Sequence, residues 1–167
     1  MKTKTFFTAL LAIVLLSTAQ CEKPDNSKLP PETQEGKNTF GCYVNDELFI
    51  AERKYAPFGG YFLSAGYSKE LNSIGISAYA KNGSIGFGVL NPKEKTPITL
   101  LFANYHVDNL LFEDTDIGEI YLTKFDTVNR IVSGFFSCEI KLKSIIGEAN
   151  NVDSIVKITE GRFDIKF

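Results

Sequence analysis

Between residues 130 and 142 the side chains alternate. Val132, Phe136, Cys138, Ile140 and Leu142 fall on one parity, and Ser133, Ser137, Glu139 and Lys141 on the other. Successive side chains of a strand face opposite ways, so this pattern specifies a strand with one buried and one wet face, as antiparallel sheets allow. The pattern recurs. Phe40, Cys42 and Val44 alternate with Gly41 and Tyr43; Ile74, Ile76, Ala78 and Ala80 share a face; Ile85, Phe87 and Val89 share another, opposite Gly86 and Gly88. Glycine that dense in a strand implies close backbone approach, a bulge or a bent sheet. Turn signals separate these runs: Asn45-Asp46, Gly59-Gly60, Lys81-Asn82-Gly83, the proline-bounded residues 91–97, Asp108-Asn109, residues 126–129 and Glu160-Gly161. Asn, Asp and Gly tolerate the backbone conformations that tight turns demand. No helix-period run of any length appears after residue 38. The expected fold is therefore all-β, an antiparallel β-sandwich or a closed β-barrel of about ten short strands, between which alternation does not choose. Residues 110–113 and 118–125 are expected as separate strands, and residues 154–159 and 162–167 as a hairpin turning at Glu160-Gly161.

The start of the chain reads differently. Lys2 and Lys4 precede an apolar run from Phe6 to Leu16. A bilayer crossing needs about 20 apolar residues, so the run is too short to span and has the form of a removable export signal. Ser17 and Ala19 suit ordinary cleavage before Gln20. Leu16, Ser17, Thr18 and Ala19 ahead of Cys21 resemble a lipobox, in which Cys21 becomes the lipidated first residue; Gln20 departs from the small residue usual just before that cysteine. Residues 22–38 hold Pro24, Pro30 and Pro31, with Leu29 their only large apolar side chain. So polar a segment buries too little to offset its ordering entropy. The expected organisation is a signal peptide at 1–20, a lipidated cysteine and disordered tether at 21–38, and one all-β domain at 39–167.

Loss of Lys2 and Lys4 with the leader lowers the 18 basic side chains by two against 20 acidic ones. The balance is mild and mixed, with no basic patch for phosphates, which argues against a nucleic-acid partner. Of the three cysteines, Cys42 and Cys138 remain once Cys21 is lipidated. Both share a parity with core residues, and an exported chain permits a disulfide. A bridge would close a loop of about 96 residues and add ~4–5 kcal/mol; two buried thiols acting as small hydrophobes are the alternative.

Three blocks stand in order along the domain: Asn38-Thr-Phe-Gly-Cys-Tyr-Val-Asn45; Gly118-x-Ile-x-x-Thr-Lys-Phe-Asp126 with Ile131-Val-Ser-Gly-x-Phe136; and Ile158-Thr-x-Gly-Arg-Phe-Asp164. Together they resemble a group of uncharacterised lipoprotein domains of the Bacteroidota. The resemblance implies a small β-rich domain behind a lipoprotein leader, on the outer membrane or cell surface. It implies no activity and carries over no catalytic residue.

Residues that carry chemistry are sparse. His106 is the sole histidine; Asp108 lies two residues on, but no serine stands in a nucleophile-elbow pattern. Asp114, Asp116 and Gly118 begin like a calcium loop, yet a third acidic position and a spaced terminal Glu are missing, so a solvated loop is the better reading. Arg162 and Asp164 share one strand face, where an ion pair is the plain expectation. No catalytic residue, metal site or cofactor is expected. The expected function is a non-catalytic, surface-tethered lipoprotein with a β-rich binding or structural domain. Its partners are the membrane, through a lipid on Cys21, and a protein or glycan met through loops at 53–60 and 91–97. The alternatives are a calycin-like barrel carrying a small apolar ligand, or an envelope enzyme.

Overall fold

The computed structural model describes residues 27–52, 55–56, 60–145 and 154–167. The leader, Gln20 and Cys21 lie outside the described residues. Among the described residues eleven strands follow one another: β1 (Thr39–Val44), β2 (Glu47–Ile50), β3 (Tyr55–Ala56), β4 (Gly60–Tyr61), β5 (Leu63–Ser68), β6 (Ser73–Ala80), β7 (Gly83–Leu90), β8 (Pro97–Val107), β9 (Leu110–Asp126), β10 (Ile131–Ile145) and β11 (Ile155–Lys166). Nine form one antiparallel sheet in the order β2-β1-β11-β10-β9-β8-β7-β6-β5, and β3 pairs with β4 apart from it. From β5 to β11 the chain meanders, each strand pairing with the next. The β1–β2 hairpin then joins on the far side of β11. Asn45 and Asp46 turn that hairpin with φ of 48° and 66°, the conformation a two-residue turn requires. Asn45 also docks the hairpin on β11. Its N–H donates to the Lys157 carbonyl at 2.9 Å, and its Oδ1 accepts the Lys157 N–H at 2.9 Å.

The sheet curls into a half-barrel around its alternating apolar face. Phe40 of β1, Phe87 of β7, Phe136 of β10 and Phe163 of β11 meet there. Ring centroids are 4.5 Å apart for Phe87–Phe136, 5.3 Å for Phe40–Phe136 and 5.9 Å for Phe87–Phe163. β1 and β7 stand far apart in the strand order, so these contacts exist only because the sheet bends. The two ends of the sheet meet as well: the Glu52 N–H, just past β2, donates to the Tyr79 carbonyl of β6 at 2.9 Å. Each buried phenyl ring removes a large apolar area from water and gains from tilted ring contacts. On the convex side of β7, Phe102 and Asn104 of β8 lie over Gly88 and Gly86, which is the close approach that the glycine density implied.

Three local expectations are corrected. Glu160-Gly161 is not a hairpin turn. β11 runs through it as one strand, with Glu160 at φ 50° and a shift in register against both β1 and β10. A strand paired on both sides cannot reverse, so the turn-like residues become a bulge. The acid run is not a loop either. β9 passes through it, with Asp116 at φ 53° and register shifts against β8 and β10. Finally, residues 27–38 are not a free tether. They cross the convex face of the sheet as a strap, hydrogen-bonded to Asp164 and Lys124. Of the loop expected at 53–60, residues 55–56 and 60 are described, and they belong to the β3–β4 pair.

Candidate functional site

The strap is held by one side chain. Asp164 of β11 is fully buried, yet its parity places it on the convex face, beside Ser133 of β10. Its carboxylate accepts hydrogen bonds from the Thr33 hydroxyl at 2.5 Å, from the backbone N–H groups of Glu35 (3.1 Å), Gly36 (2.8 Å) and Lys37 (3.1 Å), and from the Ser133 hydroxyl at 2.7 Å. Three successive N–H groups turned onto one carboxylate form the concave donor arrangement that suits an anion. Burial works to raise the Asp164 pKa. The hydrogen bonds from Thr33, Ser133, Lys37 and Gly36 outweigh it, and the carboxyl is held below its ordinary value.

Upstream, Leu29 and Pro30 lie over Gly41 of β1. The Pro30 Cδ stands 2.6 Å from where a Cβ on that glycine would be, so any larger residue would lift the strap. Downstream, Lys124 Nζ donates to the Gln34 carbonyl at 3.3 Å, and the Lys166 N–H donates to Asn38 Oδ1 at 3.0 Å. The strap thus runs across β1, β11, β10 and the end of β9 without joining the strand ladder.

Beside the strap lies a groove. Register places Tyr121 of β9 opposite Phe135 of β10, Phe135 opposite Arg162 of β11, and Arg162 opposite Gly41. Because Ile120, Phe136 and Phe163 face the core, these neighbours of opposite parity form a row on the convex face. A depression of about 290 Å³ opens over the row, lined by Glu32, Tyr121, Phe135, Ser137, Glu160 and Arg162. Glu32 is a strap residue, so the strap forms one wall. Tyr121 is 37% exposed. Arg162 donates from Nη1 to the Pro30 carbonyl at 3.5 Å and lies 3.8 Å from the Glu32 carboxylate. Its Nε is buried and has no hydrogen-bond partner among the described residues. A second depression of about 420 Å³ adjoins this one where β9 bulges, lined by residues that include Gly118, Glu119, Cys138 and Thr159.

The expected site residues fall as follows. Cys42 and Cys138 are both buried and are free thiols, the second of the two readings that the sequence left open. They sit on β1 and β10 with β11 between them. Two strand spacings come to ~9–10 Å, beyond the ~7 Å Cα separation that a disulfide tolerates. Burial pushes the Cys42 thiol above the ordinary range, with the nearby Cys138 adding to it, and pushes Cys138 up to about 12. Both are therefore protonated and inert near neutral pH. Cys21 lies outside the described residues. His106 is half-buried in β8, opposite Ser84 and Leu111. In the acid run, Glu113 accepts from Lys143 at 2.7 Å, and Asp114 Oδ1 accepts the Thr115 N–H at 2.9 Å. Among the described residues, no group of three or more His, Cys, Asp or Glu side chains converges to hold a metal.

Arg162 and Asp164 share a face as expected, but each finds partners in the strap: the Pro30 carbonyl and Glu32 for Arg162, Thr33 and the 35–37 amides, with Ser133 of β10, for Asp164. Sequence reasoning missed Thr33, Tyr121, Ser133 and Phe135. The usable signal lay in Ser133, Phe135 and Tyr121, all polar or aromatic positions on the outward parity of strands otherwise read correctly. Comparison with family models, with curated proteins and with solved structures gives no match.

The depressed Asp164 pKa makes a pH prediction. Its stabilisation is fully present above the ordinary carboxylate value of 3.8 and is lost as pH falls through the lower folded-state value. Urea unfolding of the wild type and of Asp164→Asn, followed against pH, should show the variant less stable by about 3 kcal/mol at pH 7. The gap should narrow at acid pH. A gap that does not change with pH would contradict the assignment.

Proposed function

We propose that this chain is an exported, non-catalytic binding domain, tethered at the outer membrane or cell surface by a lipid on Cys21, and that its ligand lies in the convex groove. The observation that carries the reading is the groove itself, which sets the exposed Tyr121 and Phe135 beside an Arg162 whose buried Nε has no partner among the described residues. A buried donor left unsatisfied costs free energy that an incoming acceptor would recover.

The lining narrows the ligand chemistry. The Glu32, Glu119 and Glu160 carboxylates repel an anion, although the Arg162 Nε calls for an acceptor oxygen. A hydroxyl group satisfies both demands, since it accepts from Arg162 and donates to a carboxylate. Tyr121 and Phe135 offer flat apolar faces. A neutral pyranose unit combines hydroxyls with an apolar face, and a volume of about 290 Å³ suits a unit or two. The partner favoured here is therefore a neutral glycan, met on the strand surface and not through the loops. The carrier alternative draws less support, because the rings of Phe40, Phe87, Phe136 and Phe163 occupy the concave side where an apolar ligand would sit.

Two measurements test the two halves. Mass spectrometry of the mature N-terminus should find a diacylglyceryl group on Cys21; an unmodified chain beginning at Gln20 would remove the anchor. Amide NMR titration with neutral oligosaccharides of about four units (glucans, mannans and xylans) should shift the signals of Tyr121, Phe135 and Arg162. Tyr121→Ala should weaken that binding about tenfold, the scale of a lost aromatic contact. Absence of shifts with every sugar would overturn the glycan reading.

A further inference from the structure

The groove wall and the latch that holds it belong to the same short segment. Among the described residues, the hydrogen bonds to Asp164 come from Thr33, Glu35, Gly36 and Lys37 of the strap, and otherwise from Ser133. Glu32 and the Pro30 carbonyl, immediately upstream, engage Arg162. The strap makes no ladder pairing with the sheet, because the neighbours of β1 are β2 and β11, and those of β11 are β1 and β10. It can therefore leave without breaking a strand.

We propose that the strap is a detachable wall of the groove, latched shut by Asp164, so that the site exists in a closed state and is dismantled in an open one. The inference rests on the groove reading for its functional meaning. In the closed state the carboxylate is saturated by strap donors, and Arg162 is held against Glu32 and Pro30. When the strap lifts, Arg162 loses both partners and the groove loses its Glu32 side. Asp164 then faces water, so its lost donors are replaced by solvent and no buried charge is stranded. Arg162 stands two residues away on the same face of β11, within a long side chain's reach of the freed carboxylate. The ion pair expected from the Gly161-Arg162-Phe163-Asp164 block is thus the open-state arrangement, and Arg162 exchanges a strap carboxylate for a strand one. The two partners define two discrete states of one element, which is what a switch requires.

The strap sits between the domain and the N-terminal segment that carries Cys21. Release of its dozen residues lengthens the connection by up to ~40 Å at ~3.3 Å per extended residue. A domain held at a surface would in the same step lose its groove and gain reach.

Hydrogen–deuterium exchange of the full mature chain at pH 7 reads the latch directly, with arginine labelling by phenylglyoxal reading the groove. In the wild type, the amides of Glu35, Gly36 and Lys37 should exchange faster than the β10–β11 ladder amides, by local opening. Asp164→Asn should speed those three at least about tenfold, the scale expected when bonds to a charged acceptor are lost. Ladder amides should speed only as far as the loss of global stability requires and stay slower than the strap amides, and labelling of Arg162 should rise. Should Asp164→Asn fail to fold, Thr33→Val removes one donor, leaves the carboxylate, and must speed the same amides to a lesser degree. Strap amides that exchange only with the ladder, or that neither variant affects, would overturn the proposal. A groove that binds no oligosaccharide leaves these exchange rates as they are, so the two failures are distinguishable.

Discussion

One buried carboxylate organises the outer surface of this domain. Asp164 stands on the face that alternation reserves for solvent, yet it is fully buried because the strap covers it. A charge removed from water is tolerated only where hydrogen bonds replace its hydration. Here two hydroxyls and three backbone N–H groups do so. The arrangement works in both directions: the carboxylate needs the strap donors, and a strap with little apolar surface needs the carboxylate. Gly41 permits the docking by leaving room for Pro30. The position of the strap then places Glu32 beside Arg162 and gives the groove its wall.

The concave side follows an independent logic. Phenyl rings from β1, β7, β10 and β11 fill it and hold the sheet in its curl. Curling brings the chain beyond β2 to β6, where a backbone hydrogen bond joins the two ends of the sheet. That contact limits the exposed edge that an open sheet would offer to other chains. The two faces therefore divide their roles. The concave face supplies the apolar burial that drives folding, and the convex face carries polar and aromatic groups in register across β9, β10 and β11.

The all-β class was legible because alternation is a local property, and residues 130–142 state it without ambiguity. The hairpin at Asn45-Asp46 was legible for the same reason. Glu160-Gly161 misled because a bulge and a tight turn draw on the same residue types. Pairing of β11 on both sides decides between them, and that pairing is non-local. The acid run at 113–119 misled because dense charge reads as a solvated loop, whereas here a strand interrupted by a bulge at Asp116 carries it. Parity put Cys42 and Cys138 in the core correctly, but parity says nothing of the lateral distance set by the intervening β11. The strap was the least legible element. Its proline and charge content describe a tether, and nothing local shows that three of its amides share an acceptor about 128 residues away. Tyr121, Phe135 and Arg162 could be assigned to an outward parity from sequence, but their alignment into one row depends on register.

Asp164 and residues 33–37 depend on one another, and a double-mutant cycle measures such dependence. Urea unfolding would compare four chains: the mature protein, Asp164→Asn, a deletion of residues 27–37, and the two changes combined. Deletion should lower stability, and Asp164→Asn should then cost almost nothing more, because its strap partners are already gone. Equal cost of Asp164→Asn with and without the strap, or a deletion that leaves the urea midpoint unchanged, would contradict that dependence.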